Sequence, residues 1–382
     1  MRTSIGLLAV LLSLSACGDD SSSIDEPQDP GDTTGTPDPE PNPEPDPTPE
    51  LPTDTWTFLE VEGMECMDDS GTGIGVNPAE GSDKLLIFLE GGGACFNDLS
   101  CLQVAHPNGF TKEDLQAIVG TPRGVFDRSN PNNPFADYNF VFVPYCTGDI
   151  HAGVNPVGYG RRNQVGFLNV AAALAETAAV LVKPSEVVLT GVSAGGFGTL
   201  ANYEQVRESF DASIPVTLID DSGPPLYNEV LTECYQQTQA EEWGLDETLP
   251  AGCPECRIAN GGAIQNLLPY LANKYPDDRF AVISTLEDEV IRYFVGFGYP
   301  NCDAPELPMR PNIFRDAVVQ LRDEVVAPLP NVGMYTLNGS RHTFLQSSDF
   351  TDTAVNGTAL VDWLQSGLDG EAGWSNVIPL DE

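Results

Sequence analysis

Short runs of consecutive apolar residues recur along this chain, and stretches of helical spacing lie between them. Lys84–Glu90 (KLLIFLE) reads as a buried strand ended by Gly91-Gly92-Gly93, and Asn139–Pro144 (NFVFVP) as another ended by Tyr145-Cys146. Glu186–Thr190 (EVVLT), Val216–Ile219, Phe280–Ser284 and Gly333–Leu337 supply further strands, and Thr57–Val61 with Ile74–Asn77 reads as an opening antiparallel pair. Helices are predicted over 165–181, from just after Ser193 to about Phe210, near 261–274, near 312–325, and over 353–366. Strands without an alternating polar face need cover on both sides. Their alternation with helices predicts an α/β fold: a mostly parallel central sheet in three layers, with helices on both faces. No internal repeat is visible.

The first fifty or so residues break this pattern. Met1-Arg2 is followed by the apolar run Ile5–Leu14, too short to span a bilayer as a stable helix, and then by Leu14-Ser15-Ala16-Cys17. That run resembles a bacterial lipobox, which implies cleavage before Cys17 and a diacylglycerol on its sulfur; an ordinary signal peptide with an incidental cysteine is the alternative. Residues 18–54 carry twelve acidic residues, no Lys or Arg, and proline at alternate positions from Pro37 to Pro47. Such a segment stays extended, and at about 3.1 Å per residue it reaches roughly 100 Å. The expected organisation is a lipoprotein signal over 1–16, a lipidated, disordered tether over 17–54 and a catalytic domain over 55–382. The expected location is the outer membrane or cell surface, because Gly18 does not resemble an inner-membrane retention signal.

Charge and cysteine content narrow the partners. Acidic residues number 57 against 17 basic ones, for a net charge of −40. That excess excludes nucleic acid as a partner and disfavours adsorption to anionic lipid, leaving the lipid anchor as the membrane contact. Nine cysteines point to an oxidising compartment. Without Cys17 the number is even, as a disulfide framework requires. A monomer is expected.

The chemistry concentrates in one motif. Gly191-Val192-Ser193-Ala194-Gly195 matches G-x-S-x-G between a strand and a helix, the setting of a nucleophile elbow. There the serine hydroxyl projects from the sheet edge, and the Ala194 amide at the helix start faces the developing oxyanion. The chain has three histidines, His106, His151 and His342, and only His342 follows the last predicted strand. It is therefore the candidate general base. His151 and Asp149 fall in a loop at the same sheet edge and are candidate pocket residues. The acid is expected after the next-to-last strand, in Leu286-Glu287-Asp288-Glu289; Asp288 is the choice and Glu287 the competitor. Asp220-Asp221 could serve in a variant geometry or simply structure its loop. The glycine run after the first buried strand offers Gly92 and Gly93 amides for an oxyanion hole shared with Ala194. Glu90 has no catalytic role in this reading and buttresses the loop.

LEGGGACFNDLSC (89–101), VPYCTGDIHAG (143–153), LTGVSAGGFGTLANYEQVR (189–207), DDSGP (220–224), STLEDEVIRYF (284–294) and SRHTFL (340–345) together resemble the pectin acetylesterase/Notum family of serine esterases. The resemblance runs from about Glu60 to His342. It implies an α/β-hydrolase-like fold, no metal, no cofactor and ester hydrolysis through an acyl-enzyme. Ser193, Asp288 and His342 take the nucleophile, acid and base positions, and Gly92, Gly93 and Ala194 the oxyanion amides. Family members often carry Trp after the glycine run; Ala94 stands there instead, in the candidate pocket. Cys95 with Cys101 would staple the oxyanion loop, and Cys66 with Cys146 would tie the first strands to the loop after 139–144. Cys234, Cys253, Cys256 and Cys302 allow three pairings. The preferred one is 234–253 with 256–302; the alternative is that Cys253-Pro254-Glu255-Cys256 forms a redox or zinc site, and zinc is disfavoured without a second CxxC or a nearby histidine.

Three functions are open to this sequence. The leading one is a tethered serine esterase removing acetyl or other short acyl groups from a polysaccharide. The second is a carboxylesterase for lipid-like, aryl or protein-linked esters, which the acidic surface keeps in contention because it repels polyanions such as pectin. The third is a surface binding protein without activity, against which the intact serine, acid, histidine and glycine loop argue.

Overall fold

Eight strands form one sheet because most of them are apolar on both faces. In chain order they are β1 (Thr57–Glu65), β2 (Gly71–Asn77), β3 (Lys84–Leu89), β4 (Asn139–Val143), β5 (Glu186–Val192), β6 (Val216–Asp221), β7 (Arg279–Thr285) and β8 (Val332–Leu337). In β3, Leu85, Ile87 and Leu89 enter one core, and Leu86 and Phe88 the opposite one. Phe280 and Val282 of β7 enter the first core, Ala281 and Ile283 the second. The sheet is thus the middle of three layers. The computed structural model describes residues 51–227 and 229–380; the expected signal segment, Cys17 and nearly all of the tether lie outside the described residues.

The strand order is β1-β2-β4-β3-β5-β6-β7-β8. From β4 to β8 every pairing is parallel, while β1 and β2 form the expected antiparallel margin. The helices are α1 (Asp98–Cys101), α2 (Lys112–Val119), α3 (Gly166–Val180), α4 (Ala194–Glu208), α5 (Glu233–Trp243), α6 (Leu245–Thr248), α7 (Leu267–Lys274), α8 (Glu289–Val295), α9 (Pro311–Gln320) and α10 (Leu360–Leu368).

The differences from expectation have local causes. Residues 353–366 are not one helix: Ala354–Val355 pairs with Thr358–Ala359 before α10 begins. Asn356 and Gly357 adopt positive φ of 51° and 84°, the Asn-Gly turn of a two-residue hairpin. The predicted helix at 261–274 starts late, with a single 3₁₀ turn over Ile264–Asn266 ahead of α7. Helix α5 was not foreseen because it is polar almost throughout, with only Tyr235, Gln236 and Trp243 buried.

Four disulfides staple the domain. Cys66–Cys146 and Cys95–Cys101 form as expected. The other four cysteines pair as Cys234–Cys302 and Cys253–Cys256, which corrects the preferred pairing. A 3₁₀ turn over Pro254–Cys256, with the Cys256 N–H donating to Cys253 O at 3.0 Å, folds this CxxC onto itself. That leaves Cys234, on α5, for Cys302 in the loop after α8. Those segments face each other, and the Cys302 N–H lies 3.2 Å from Cys234 Sγ.

Candidate active site

The parallel strands place their carboxyl ends on one edge, where open α/β sheets form sites. Ser193 directly follows β5 and precedes α4, with φ 58° and ψ −119°. A non-glycine residue held at such angles costs roughly 1–3 kcal/mol, so the surroundings must enforce it. They do: a Cβ at Gly195 would lie 2.0 Å from Leu89 O, so only glycine lets α4 start this close to β3. The Ser193 N–H donates to Asp221 O at 2.8 Å.

Asp288 lies three residues past the end of β7 and is fully buried. Its Oδ1 caps α8, accepting the Val290 and Ile291 N–H groups at 2.9 Å each. The cap fixes the carboxylate so that Oδ2 meets His342 Nδ1 at 2.8 Å. A carboxylate only accepts, so Nδ1 carries the proton and Nε2 is the free basic nitrogen. Glu287, the competing acid, turns away and pairs with Arg315.

Asp220 and Asp221 structure the site. Asp221 Oδ2 accepts the Phe344 and Leu345 N–H groups at 2.7 and 2.8 Å, holding the segment that carries His342. Burial raises its pKa. Asp220 Oδ1 accepts the Gly223 N–H at 2.7 Å, while its buried Oδ2 has no partner among the described residues. Burial holds this carboxyl well above the usual range.

The glycine loop is tied from behind through its carbonyls. Gly92 O accepts the Ala105 N–H at 3.0 Å, and Gly93 O accepts the Tyr145 hydroxyl at 3.0 Å. In a planar trans peptide the next N–H points the opposite way, so the Gly93 and Ala94 amides are directed forward. At Gly93, φ is 85° and a Cβ would lie 2.4 Å from Gln103 O, so no other residue fits there.

Two cavities meet at Ser193. One is apolar, with a volume of about 50 Å³, and includes Gly93, Ala94, Ala194, Phe197, Ile264 and Phe294 in its lining. The other is a more polar cleft of about 370 Å³ that holds His342, the glycine run, Gln103, Arg123 and Gln346. Ala94 borders the apolar cavity. Asp149 and His151 border neither cavity, which corrects their candidate pocket role. Asp149 is fully buried and accepts the Gly166 N–H at the start of α3 at 2.6 Å. His151 sits behind the loop, its Nε2 donating to Glu90 O at 2.9 Å. Burial lowers its pKa to about 4, so it stays neutral. The apolar wall from Leu231, Tyr235 and Ile264 was missed; it comes from segments with no local motif.

A family model described as Pectinacetylesterase matches residues 54–255. Among curated proteins, Palmitoleoyl-protein carboxylesterase notum1a of Danio rerio is 30% identical over 178 residues, 44% of this chain and 35% of that protein. Palmitoleoyl-protein carboxylesterase NOTUM of Mus musculus is 31% identical over 172 residues, 42% of this chain and 33% of that protein. The match thus spans about a third of the length of these relatives. The structure of the Wnt deacylase Notum from Drosophila has a TM-score of 0.62 at 20% identity, covering 85% of this chain and 96% of that one. The fold is therefore the Notum-like α/β fold, an α/β-hydrolase-like sheet stapled by disulfides. With more than half of its residues matched by the family model, the chain belongs to the pectinacetylesterase family.

Proposed function

We propose that this protein is an exported carboxylic ester hydrolase that removes acetyl or other short acyl groups, with a polysaccharide as the leaving alcohol. The observation that carries this reading is the position of Ser193 at the mouth of a small apolar pocket and on the wall of the polar cleft that holds His342. Ser193 Oγ attacks the ester carbonyl as His342 Nε2 takes its proton. The Gly93 and Ala94 amides, which the tied carbonyls of Gly92 and Gly93 direct forward, stabilise the tetrahedral oxygen together with the Ala194 amide; the Gly92 amide of the sequence-based expectation gives way to that of Ala94. His342 then gives the proton to the departing alcohol and activates water to hydrolyse the acyl-enzyme. Asp288 holds the ring in the required tautomer.

Pocket size argues for a short acyl group. The open space beside Ser193 is narrow, about 50 Å³ between apolar walls. On the alcohol side, Gln103, Arg123, Thr343 and Gln346 offer hydrogen bonds suited to sugar hydroxyls. Glu90 is the cleft's one lining carboxylate, and it is engaged by His106. The cleft is thus close to neutral within a chain of net charge −40, and salt screens the remaining long-range repulsion of an acidic polymer.

A second reading, hydrolysis of protein-linked palmitoleoyl esters, draws support from the names of the relatives and from the apolar pocket walls. Release of acetate from acetylated polysaccharides, measured beside release of fatty acid from a palmitoleoylated peptide, tests both. Acetate release alone supports the first reading; fatty acid release alone replaces it with the second.

The same reading places the protein on the outer membrane or cell surface through a lipid on Cys17. The four disulfides support an oxidising compartment. Radiolabelled palmitate should enter the full chain and be absent from Cys17→Ser; equal labelling would remove the anchor.

A further inference from the structure

We propose that Glu90 and His106 form a positioning pair that presets the glycine loop for oxyanion binding, a role that rests on the esterase reading above. Glu90 is the last residue before the loop, and its carboxylate reaches two other segments. Oε2 accepts the Tyr145 N–H, after β4, at 2.9 Å. Oε1 lies 3.2 Å from His106 Nε2. His106 follows Ala105, whose N–H holds Gly92 O from behind at 3.0 Å. One carboxylate therefore joins the loop's entry to the strap that orients the Gly93 amide. His106 is wedged edge-on against Phe110, with ring centroids 4.9 Å apart.

The pair is an electrostatic unit. A carboxylate this deeply buried is costly without a countercharge. Burial pushes the Glu90 pKa up, more than its hydrogen bonds from His106 and Tyr145 pull it down. Burial by itself would lower the His106 pKa, but the Glu90 hydrogen bond and charge outweigh it and the net shift is upward. Asp114 of α2 is the remaining charged group acting on the pair, and it favours the charged imidazole. His151, on Glu90 O, is neutral, and the Tyr145 pKa is raised well above its ordinary value by burial. Because the His106 pKa is raised in the folded state, its contribution is complete below the ordinary histidine value of 6.5 and is lost as pH rises through the raised one. The buried Glu90 carboxylate then keeps the Tyr145 N–H but loses its countercharge, so kcat should carry an alkaline limb that belongs to this pair.

The test measures kcat and KM for nitrophenyl acetate across pH in the wild type, Glu90→Gln and His106→Gln. Two readouts accompany it: labelling of Ser193 by a phosphonate ester, and NMR titration of the histidine rings. An oxyanion contact acts mainly in the transition state. Each variant should therefore lose kcat by about tenfold or more with KM within about twofold, while the labelled fraction stays complete. The alkaline limb should vanish in His106→Gln, and the His106 titration should move to lower pH in Glu90→Gln. Unchanged kcat in both variants, or a loss matched by a smaller labelled fraction, would overturn the pair and leave the esterase reading standing. A wild type without turnover would overturn both. His106 is partly exposed, so its variant keeps the test valid if Glu90→Gln fails to fold.

Discussion

One oxygen of Asp288 meets His342 Nδ1 at 2.8 Å while the other caps the helix that begins at Glu289. The two tasks reinforce each other, because the cap leaves the carboxylate no second orientation. Asp288→Asn keeps the shape but offers Nδ1 an amide that no longer selects the tautomer. It should lower kcat by about 10⁴-fold with a small change in Tm. Asp288→Ala should also lower Tm, since losing an N-cap costs about 1 kcal/mol. Glu287→Gln should leave kcat within about twofold. Steady-state kinetics of the three variants check this, and a larger loss in Glu287→Gln than in Asp288→Asn would reassign the acid.

Asp221 holds the residues after His342 through the Phe344 and Leu345 amides. Asp221→Ala strands both buried donors, at about 1–3 kcal/mol each. Thermal unfolding should show a lower Tm, and kcat should fall more than KM rises. Unchanged kcat would mean that His342 is placed without it.

Acyl-chain selectivity follows from the pocket. Turnover of nitrophenyl esters should be greatest at acetyl and fall steadily with chain length. Phe294 borders both the apolar pocket and the cleft, so Phe294→Ala should move the optimum to longer chains. A wild-type optimum at long chains would contradict the size argument.

Asp220 gives a pH prediction. Its folded-state pKa is raised by burial, so the stability it contributes is present below its unfolded value and lost as pH rises through the folded one. Tm should therefore decline toward alkaline pH, and less steeply in Asp220→Asn. Parallel Tm–pH curves for the two proteins would show that Asp220 takes no part.

Much of this was legible because it is local. The strand, elbow and helix around Ser193 lie within one continuous segment, and chain order alone singled out His342 among three histidines. The glycine run after β3 carried its own reason, since Gly93 needs positive φ and has a carbonyl where a Cβ would go. The rest depends on segments meeting in space. Nothing near Tyr235 marks it as pocket wall, because α5 has no amphipathic stripe, and Leu231 and Ile264 lie outside the α-helices. The loop that carries Asp149 and His151 leaves the right sheet edge, which by sequence alone points them at the pocket. Backbone amides and carbonyls claimed their polar atoms instead. Sequence spacing does not choose among the three pairings of Cys234, Cys253, Cys256 and Cys302; the 3₁₀ turn over Pro254–Cys256 lets the CxxC close on itself.

The most direct test of the central claim is to quench residues 54–382 during turnover of nitrophenyl acetate and locate the acetyl group by mass spectrometry. The account predicts acetyl on the peptide that contains Ser193, with no adduct and no turnover in Ser193→Ala. Turnover that survives in Ser193→Ala would contradict it.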